Sequence, residues 1–559
     1  MMKLSASGGI RVIYTIVFFF TAVAVTGQEV LLSDQEAYYD TLALTGNAER
    51  SYLSFRTLSD SRPVLPEGDT GPWTGVKKAE HYSIGAIDAR IYGPDLFASY
   101  NSNAPLGQND GLLWQGRGAN MSLSAGVRFE GYGFEATLKP VVACSQNAAF
   151  DLASPAAAYA NQPYTDKAGV WGYPGVAYID APQRFGDDAV YDWSWGDSEI
   201  RYSWKTLTAG FGTQSIWLGP ARINPLIHSN NAPPYPKFDI GARPTRILLF
   251  GKDFGTFEAR AFWGMLSESD YFDSDDTNDE NLLTGLSISY SPPVSHQLVI
   301  GFLRTMLSKW SDRDTRAIFD LLWPFMESSA GFDERDQRAS ITVDYLIPSV
   351  GLELYTEWAK NDYSTNLESL LRYPFHAHAF TIGGRKSIPL WRSDLRGELV
   401  LEVTSVEMSQ DFQFSWPSTF YAHHIITQGY TNCGQWIGAG MGTGGNSQYA
   451  GFTVYHSRGS VGVHVQRINP DNDVLFARAV KTTDAGTSPD PGRADSSWYQ
   501  FKTSLVFGVT GMYRVWNGFS VSAETAYNLL LNPTYENDNY NDGPKWHNFR
   551  VALGFSYQL

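Results

Sequence analysis

The stretch NFRVALGFSYQL, residues 548–559, alternates strictly between apolar side chains and polar or small ones. In an extended chain one face would carry Phe549, Val551, Leu553, Phe555, Tyr557 and Leu559. The other face would carry Asn548, Arg550, Ala552, Gly554, Ser556 and Gln558. This period of two is typical of a strand with one greasy face. An apolar strand with a free edge invites pairing with another chain, whereas a closed barrel has no free edge. The stretch therefore predicts a barrel strand.

The same alternation recurs after residue 80 in about eighteen segments, each near the 9 to 11 residues that cross a bilayer obliquely. Clear examples begin at Met121, Leu352 and Val461. We predict an all-β fold in which residues 80–559 form a transmembrane antiparallel β-barrel of about 18 strands. A β-sandwich also alternates, but it gives no reason for the pattern of connections that follows.

The connections between these segments alternate between short and long. Short turns are predicted at residues 130–133, 204–207, 291–296, 347–351, 456–460 and 516–518. Long segments are predicted at residues 93–119, 143–196, 219–243, 267–281, 308–337, 360–376, 408–447, 469–496 and 531–545. Outer-membrane barrels have short periplasmic turns and long extracellular loops. The pattern therefore predicts long loops at the cell surface and both termini in the periplasm.

Residues 1–27 have the pattern of a secretory signal peptide. Lys3 and Arg11 precede an apolar run from Val12 to Val25, and the small residues around Thr26 and Gly27 offer a cleavage site. The run of 14 residues is shorter than the roughly 20 that a spanning helix needs. We therefore expect a removed signal rather than a membrane anchor.

Residues 28–79 predict a short helical segment before the barrel. Ser33 to Glu36 read SDQE, a capping box, and Gly46 would close the helix that follows. Asn47 would cap a second helix that ends before Pro63. The two helices would either plug the barrel lumen from below or lie in the periplasm.

Composition excludes several classes of partner. The net charge is −16 with no basic patch, so a nucleic-acid partner is not expected. His423 and His424 are neighbours that would point apart, and the acids of residues 270–280 are irregularly spaced, so we predict no metal and no cofactor.

Cys144 and Cys433 are too few for a disulfide scaffold. The topology puts both on the extracellular side, where they form either one disulfide bond or two separate thiols.

Two dense stretches, at residues 213–244 and 414–445, carry a family resemblance. The first contains Trp217-Leu218-Gly219-Pro220 and the run from Ser229 to Pro233, and the second contains His423, His424, Gly429, Tyr430 and Gly438. Together they resemble the Wzi-type capsule-assembly family of outer-membrane proteins. The resemblance implies an eighteen-stranded barrel with N-terminal helices, located in the outer membrane of a Gram-negative-type bacterium and exposed at the cell surface, which binds surface polysaccharide.

Side chains in the predicted long loops suit a sugar ligand, because aromatic rings pack against sugar C–H faces while amides and guanidinium groups bond hydroxyls. The candidate polysaccharide-binding residues are Arg222, Asn230, Asn231, Trp193, Trp195, Trp416, His423 and Trp436. Alternatively, the aromatic residues anchor the loops to one another and to the membrane interface.

Three functions remain in competition. The first is a non-enzymatic, lectin-like barrel that attaches or organises capsular or extracellular polysaccharide; the expected contacts are that polymer, outer-membrane lipid and lipopolysaccharide, and the expected state is a monomer. The second is a porin or substrate-specific channel. The third is a lipid hydrolase that uses His228, Ser229 and Asn230, but adjacent residues do not converge as a catalytic triad does.

Overall fold

The computed structural model describes residues 33–50, 52–56, 72–73, 82–153, 171–173, 176–273, 275, 277–313, 321, 335–361, 367–409, 419–423, 425–473, 501–516, 518–535 and 544–557. The predicted signal peptide of residues 1–27 and the predicted site residue Trp416 lie outside these residues.

Eighteen antiparallel strands form one closed barrel. They are β1 (Ile87–Asn101), β2 (Gly118–Gly131), β3 (Phe134–Leu138 and Val141–Ser145), β4 (Val190–Ser194 and Glu199–Trp204), β5 (Leu207–Gly212), β6 (Lys237–Leu249), β7 (Lys252–Ser267), β8 (Glu280–Ser291), β9 (Leu298–Lys309), β10 (Arg335–Ile347), β11 (Leu352–Asn361), β12 (His378–Pro389), β13 (Arg396–Ser405), β14 (Asn446–His456), β15 (Gly459–Asn469), β16 (Thr503–Trp516), β17 (Phe519–Leu531) and β18 (Lys545–Tyr557). The last strand closes on the first, with Val551 opposite Tyr100. The predicted fold class is confirmed.

The two faces of β18 have the burial that the sequence predicts. Phe549 and Val551 are 60% and 49% exposed on the outer face, whereas Asn548 and Arg550 are 0% and 6% exposed on the lumen face. The other strands repeat this arrangement, as Val461 and Val463 of β15 show. Contact with hydrocarbon favours an apolar outer band. Closure of the barrel in addition leaves no free strand edge whose backbone N–H and C=O groups would lack partners.

The connections alternate as predicted, with short turns at one end and long segments at the other. The turn between β6 and β7 contains only Phe250 and Gly251, and the turn between β2 and β3 only Tyr132 and Gly133. Long segments include the 44 residues between Ser145 and Val190. The long-segment end therefore corresponds to the cell surface and the short-turn end to the periplasm.

The predicted long segment at residues 93–119 begins too early. Strand β1 continues to Asn101, and a register shift between Tyr92 and Asp95 accommodates Gly93 and Pro94 as a bulge. Gly93 has a φ of 78°, which suits glycine, and proline has no N–H to lose from the ladder. Residues typical of a loop are therefore built into a bent strand.

The first predicted helix is confirmed and the second is not. Helix α1 spans Ser33–Leu44, and Gly46, with a φ of 73°, follows its last turn. Phe55–Arg56 is instead a two-residue strand paired with Trp217–Leu218. The N–H groups that a second helix would need are bound elsewhere, to Glu258 of β7. Among the described residues, no helix has the length and apolar character needed to cross a membrane.

Helix α1 plugs the lumen near the short-turn end. Tyr38 stacks on Trp73 with ring centroids 3.9 Å apart, and Trp73 Nε1 donates to the carbonyl of Gly459 at the start of β15 (3.1 Å). The hydroxyl of Thr41 donates to Glu398, near the start of β13. Helix α1 therefore contacts inward-facing residues of the wall at this end.

An apolar core occupies the lumen above α1. Inward side chains of the wall, among them Phe262 and Leu303, pack against buried residues of the long segments, among them Leu226, Tyr421 and Ile437. Other inward side chains of the wall are polar or charged, among them Arg128, Arg201 and Glu357, and the arginines pair with neighbouring carboxylates. The long segments that enter the barrel are therefore fixed parts of its interior.

The possible disulfide bond is not formed: both cysteines are free. Cys144 lies in β3 between Met121 of β2 and Tyr191 of β4, which are both exposed, while its neighbours Ala143 and Ser145 are buried. The Cys144 side chain therefore points away from the lumen. Cys433 lies in a loop whose backbone donates to the carbonyl of Ser267 (2.8 Å). Residues on opposite sides of the wall cannot meet the geometry of a disulfide.

We expect both cysteines to react when the denatured, unreduced protein is treated with a maleimide. Intact-mass measurement should show two added labels, and prior reduction should not change that number. A single species without label, which acquires two labels only after reduction, would contradict the outward orientation of Cys144.

Candidate functional site

The segment between β5 and β6, residues 213–236, folds into the lumen and is held by glutamates of the wall. Glu402 of β13 accepts hydrogen bonds from three consecutive N–H groups, those of Arg222 (2.7 Å), Ile223 (3.2 Å) and Asn224 (2.8 Å). Consecutive backbone N–H groups form a concave nest for an anion. The Tyr355 hydroxyl donates to the same carboxylate (2.8 Å).

Two further wall residues continue this anchoring. Glu357 accepts from the N–H of Leu226 (2.9 Å), and Thr381 donates to the carbonyl of Asn224 (3.0 Å). On the opposite wall, Glu258 receives the N–H groups of Leu53, Ser54 and Phe55 at 3.0 to 3.4 Å. The irregular backbone inside the barrel thus finds partners at membrane depth.

Arg222 joins this segment to α1 and to the wall. Its guanidinium pairs with Asp40 of α1 and with Glu353 of β11 (3.2 Å), and Glu353 also pairs with Arg385 (3.0 Å). Burial disfavours the charged guanidinium, but Asp40, Tyr52 and Glu353 together more than offset this effect, so the pKa of Arg222 lies above its usual value. Arg222, a predicted polysaccharide-binding residue, therefore lies in an internal ion-pair network.

The segment at residues 419–445 clamps the first one from above. Tyr421 and Tyr430 stack with centroids 5.6 Å apart, and their hydroxyls donate to the carbonyls of Leu226 (2.7 Å) and Ile227 (2.9 Å). The guanidinium of Arg338 lies 4.2 Å from the Tyr430 ring centroid. The two dense stretches noticed in the sequence are therefore packed on one another.

The histidines of these segments have internal partners. His228 bonds to the carbonyl of Ile216 (3.1 Å) and to Tyr235 (2.7 Å), and burial, aided by Lys237, lowers its pKa to about 3. The Ser229 hydroxyl donates to the carbonyl of Gly438 (2.6 Å), so the two residues do not form the hydrogen bond of a nucleophile and its base.

His423, a predicted site residue, is buried, and its Nδ1 accepts from the N–H groups of Ile425 and Ile426 at 3.3 and 3.2 Å. These two contacts close a turn. In the part of the chain that the structure describes, no group of three or more metal-ligand side chains comes together.

A cavity of about 290 Å³ opens at the long-segment end of the barrel; we call it the loop cleft. Its lining comes from five long connections and from the adjoining ends of β15 to β18, and includes Trp114, Asn231, Trp436, Lys502, Ser504 and Trp546. The two inner segments, residues 213–236 and 419–445, form part of its floor.

The cleft combines fixed aromatic rings with amides. Trp114 meets Phe185 edge to face at 5.0 Å, and Trp436 lies 5.9 Å from Tyr421. The Asn231 side-chain oxygen accepts a hydrogen bond from the N–H of Asn109 (2.9 Å), and its NH₂ group donates to the carbonyl of Trp436 (3.0 Å). Burial raises the pKa of Asp110, another lining residue, to about 6, with Arg550 opposing the shift. Rings, amides and carboxyl groups of this kind suit a carbohydrate.

Only part of the predicted site reaches the cleft. Asn231 and Trp436 line the cleft. The carbonyl of Asn230 accepts a hydrogen bond from the N–H of Gly111 (3.0 Å), next to the lining residue Asp110. Trp193 and Trp195 contact each other at 5.6 Å and are 65% and 53% exposed. Trp193 lies opposite Val142, which is also exposed, so it points outward toward lipid as the alternative interpretation anticipated.

Sequence reasoning missed Trp114, Lys502 and Trp546. They are far apart in sequence, and only closure of the barrel brings them together. Trp546 carried a usable signal, because it lies two residues before Asn548 and so shares the lumen face of β18.

Comparison with known proteins gives a family and a fold. The family model described as capsule assembly protein Wzi matches residues 101–543. The structure of Wzi from Escherichia coli, described as an outer-membrane protein involved in group 1 capsule assembly and a carbohydrate-binding β-barrel, superposes with a TM-score of 0.61 at 12% identity, over 95% of this chain and 99% of that one. No curated protein matches the sequence.

Two channel proteins are also similar, at lower scores. OprB from Pseudomonas putida gives a TM-score of 0.36 at 11% identity, over 85% of this chain and 94% of that one. OccAB1 from Acinetobacter baumannii gives 0.39 at 10% identity, over 87% and 100%.

We expect Glu402→Gln to loosen the inner segment. The carboxamide would replace one acceptor oxygen by an NH₂ group, which is itself a donor and cannot bind the N–H groups of the nest. Loss of these hydrogen bonds should lower the free energy of unfolding by about 1–3 kcal/mol. Thermal melting in detergent should shift downward, and proteolysis at residues 213–236 should accelerate. The matched control is Glu524→Gln, a lumen-side residue of β17 that pairs with Arg550 (3.4 Å) of the neighbouring strand. Equal proteolysis of the two variants would refute the anchoring role.

Proposed function

Because the chain belongs to the Wzi capsule-assembly family, we propose that it is a lectin-like barrel of the outer membrane, which attaches or organises capsular or extracellular polysaccharide at the cell surface. The membership rests on a family model that matches residues 101–543 of the 559. The family name gives the process, and the loop cleft gives this chain a place where a polymer can bind.

The observation that carries the proposal is the combination of a filled lumen with an open cleft on the surface side. The described inner segments enter the barrel and form a buried apolar cluster with its wall, and their backbone is bound by Glu258, Glu357 and Glu402. The loop cleft remains open above them. A rigid floor holds the lining residues in place before a ligand arrives, which limits the entropy lost on binding.

The cleft also has the size and lining that a short stretch of polysaccharide needs. Its volume of about 290 Å³ accommodates one or two sugar rings rather than a whole polymer, so the remaining chain would extend over the loops. Trp546 and Trp436 supply aromatic faces, and the floor below them carries the Ser504 hydroxyl and the Asn528 amide. The E. coli barrel with the same fold is described as carbohydrate-binding, which agrees with this assignment.

The channel alternative has less support. A channel needs a continuous aqueous path, and the described residues put Phe55, Leu218 and Leu303 into one buried cluster inside the barrel. The similarities to OprB and OccAB1 fall below a TM-score of 0.5 and add nothing to it.

The proposal includes no catalytic step. The His228 and Ser229 side chains are engaged with carbonyl groups and Tyr235, as described above. The partners that we propose are the polymer within the cleft, with outer-membrane lipid and lipopolysaccharide around the apolar band. The proposed state is a monomer.

We expect Trp546→Ala to weaken binding of the host's surface polysaccharide about tenfold, because loss of one stacking ring is worth on the order of 1.4 kcal/mol. The control is Trp193→Ala, which removes an outward-facing indole that does not line the cleft. Binding can be measured by biolayer interferometry with detergent-solubilised full-length protein on immobilised polymer. The cleft assignment fails if the two variants bind alike, or if wild-type protein does not bind the polymer.

We further expect the purified protein to give no stable conductance steps in planar bilayers, since the lumen is occupied. A general porin reconstituted under the same conditions serves as the positive control. Regular, large openings of the wild-type protein would favour the channel function.

A further inference from the structure

We propose that Lys502 makes the loop cleft selective for a polysaccharide with anionic substituents, an inference that rests on the proposed function. The ammonium group would pair with a carboxylate or phosphate on the sugar that occupies the cleft. The inference depends on where Lys502 lies and on its lack of a protein partner.

Lys502 stands at the surface end of the lumen face. It immediately precedes β16, and it lies two residues before Ser504, so both side chains share one face of the extended chain. Ser504 is buried, and its hydroxyl donates to Asn528 of β17 (2.7 Å). Lys502 therefore lies above this polar pair, and all three residues line the cleft.

Several buried arginines inside the barrel have carboxylate partners. Arg222 pairs with Asp40, Arg385 with Glu353 and Arg201 with Asp239. Lys502 differs, because within the described part of the chain no carboxylate lies within 4 Å of its ammonium and no acceptor bonds to it. Its ammonium lies over the ring of Tyr535, 5.8 Å from the centroid.

The surroundings make a ligand partner favourable. Burial lowers the pKa of Lys502, and only the more distant Asp471 opposes this shift. A half-buried ammonium without a hydrogen-bond acceptor is costly, and an incoming anion would remove that cost through charge-assisted hydrogen bonds. The Tyr535 ring, held by its hydroxyl on the carbonyl of Pro470, favours the cation on one side and leaves the others to a ligand.

The two acidic residues that line the cleft, Asp110 and Asp471, form no ion pair with the Lys502 ammonium. Asp110 lies beside Gln115 and in the field of Arg550. Asp471 acts on Lys502 only through space and has a further interaction of its own. Trp546, which lines the same cleft, offers an aromatic face for the ring of an acidic sugar while Lys502 takes its charge.

The test compares three preparations of the host's own surface polysaccharide: native, carboxyl-reduced and dephosphorylated. Wild-type full-length protein should bind the native polymer at least about tenfold more tightly than the preparation that has lost the relevant anion. Loss on carboxyl reduction identifies a uronic-type carboxylate, and loss on dephosphorylation identifies a phosphate. Lys502→Gln should reduce this ratio to near one, and Lys502→Arg should retain most of it.

The control variant is Lys205→Gln, which removes a lysine that also lies over an aromatic ring, that of Trp204 at 5.0 Å, but at a short turn on the opposite end of the barrel. It should keep the wild-type ratio. Equal binding of all three polymer preparations by wild-type protein would overturn the role of Lys502 and leave the lectin function standing. Lack of binding to any preparation would instead refute the proposed function itself.

Discussion

Three backbone N–H groups in a row, bound by one wall carboxylate, are the contact on which the interior of this barrel depends. Glu402 holds residues 222–224 in this way and Glu258 holds residues 53–55. Irregular backbone at membrane depth is tolerated only where its polar groups are satisfied. The two nests meet that requirement without a helix or a sheet, and they bring a negative side chain and a positive backbone surface together.

The remaining interior follows from this anchoring. Once residues 213–236 are fixed, Leu226 and Ile227 present carbonyls to Tyr421 and Tyr430, and the second inner segment packs on the first. The apolar residues of both segments then complete a core with the inward side chains of the wall. The loop cleft is therefore a surface feature of a packed interior rather than the mouth of a pore.

The sequence predicted the barrel well, because alternation along strands such as β18 is a local property that hydrocarbon on one side imposes. The sequence-based prediction was wrong where contacts with residues distant in sequence override a local pattern. Gly93 and Pro94 suggested a loop but form a bulge, and Asn47 suggested a helix whose N–H groups are taken by Glu258. The site was the least predictable part. Asn231 was predicted from a motif and Trp436 from its place in a long loop, but Trp546 and Lys502 join them in the cleft only after the barrel closes, and Trp193 has its orientation set by strand parity.

The nests also constrain the order in which the molecule can be assembled. Arg222 lies between the fifth and sixth strands, but the carboxylate that its N–H group needs belongs to the thirteenth, 180 residues later in the chain. The N–H group of Ser54 likewise waits for Glu258, 204 residues away. Contacts of such sequence separation form late and slowly. The inner segments therefore lack these wall partners while most of the wall is being added, and residues 222–224 can be anchored only once the thirteenth strand is in place.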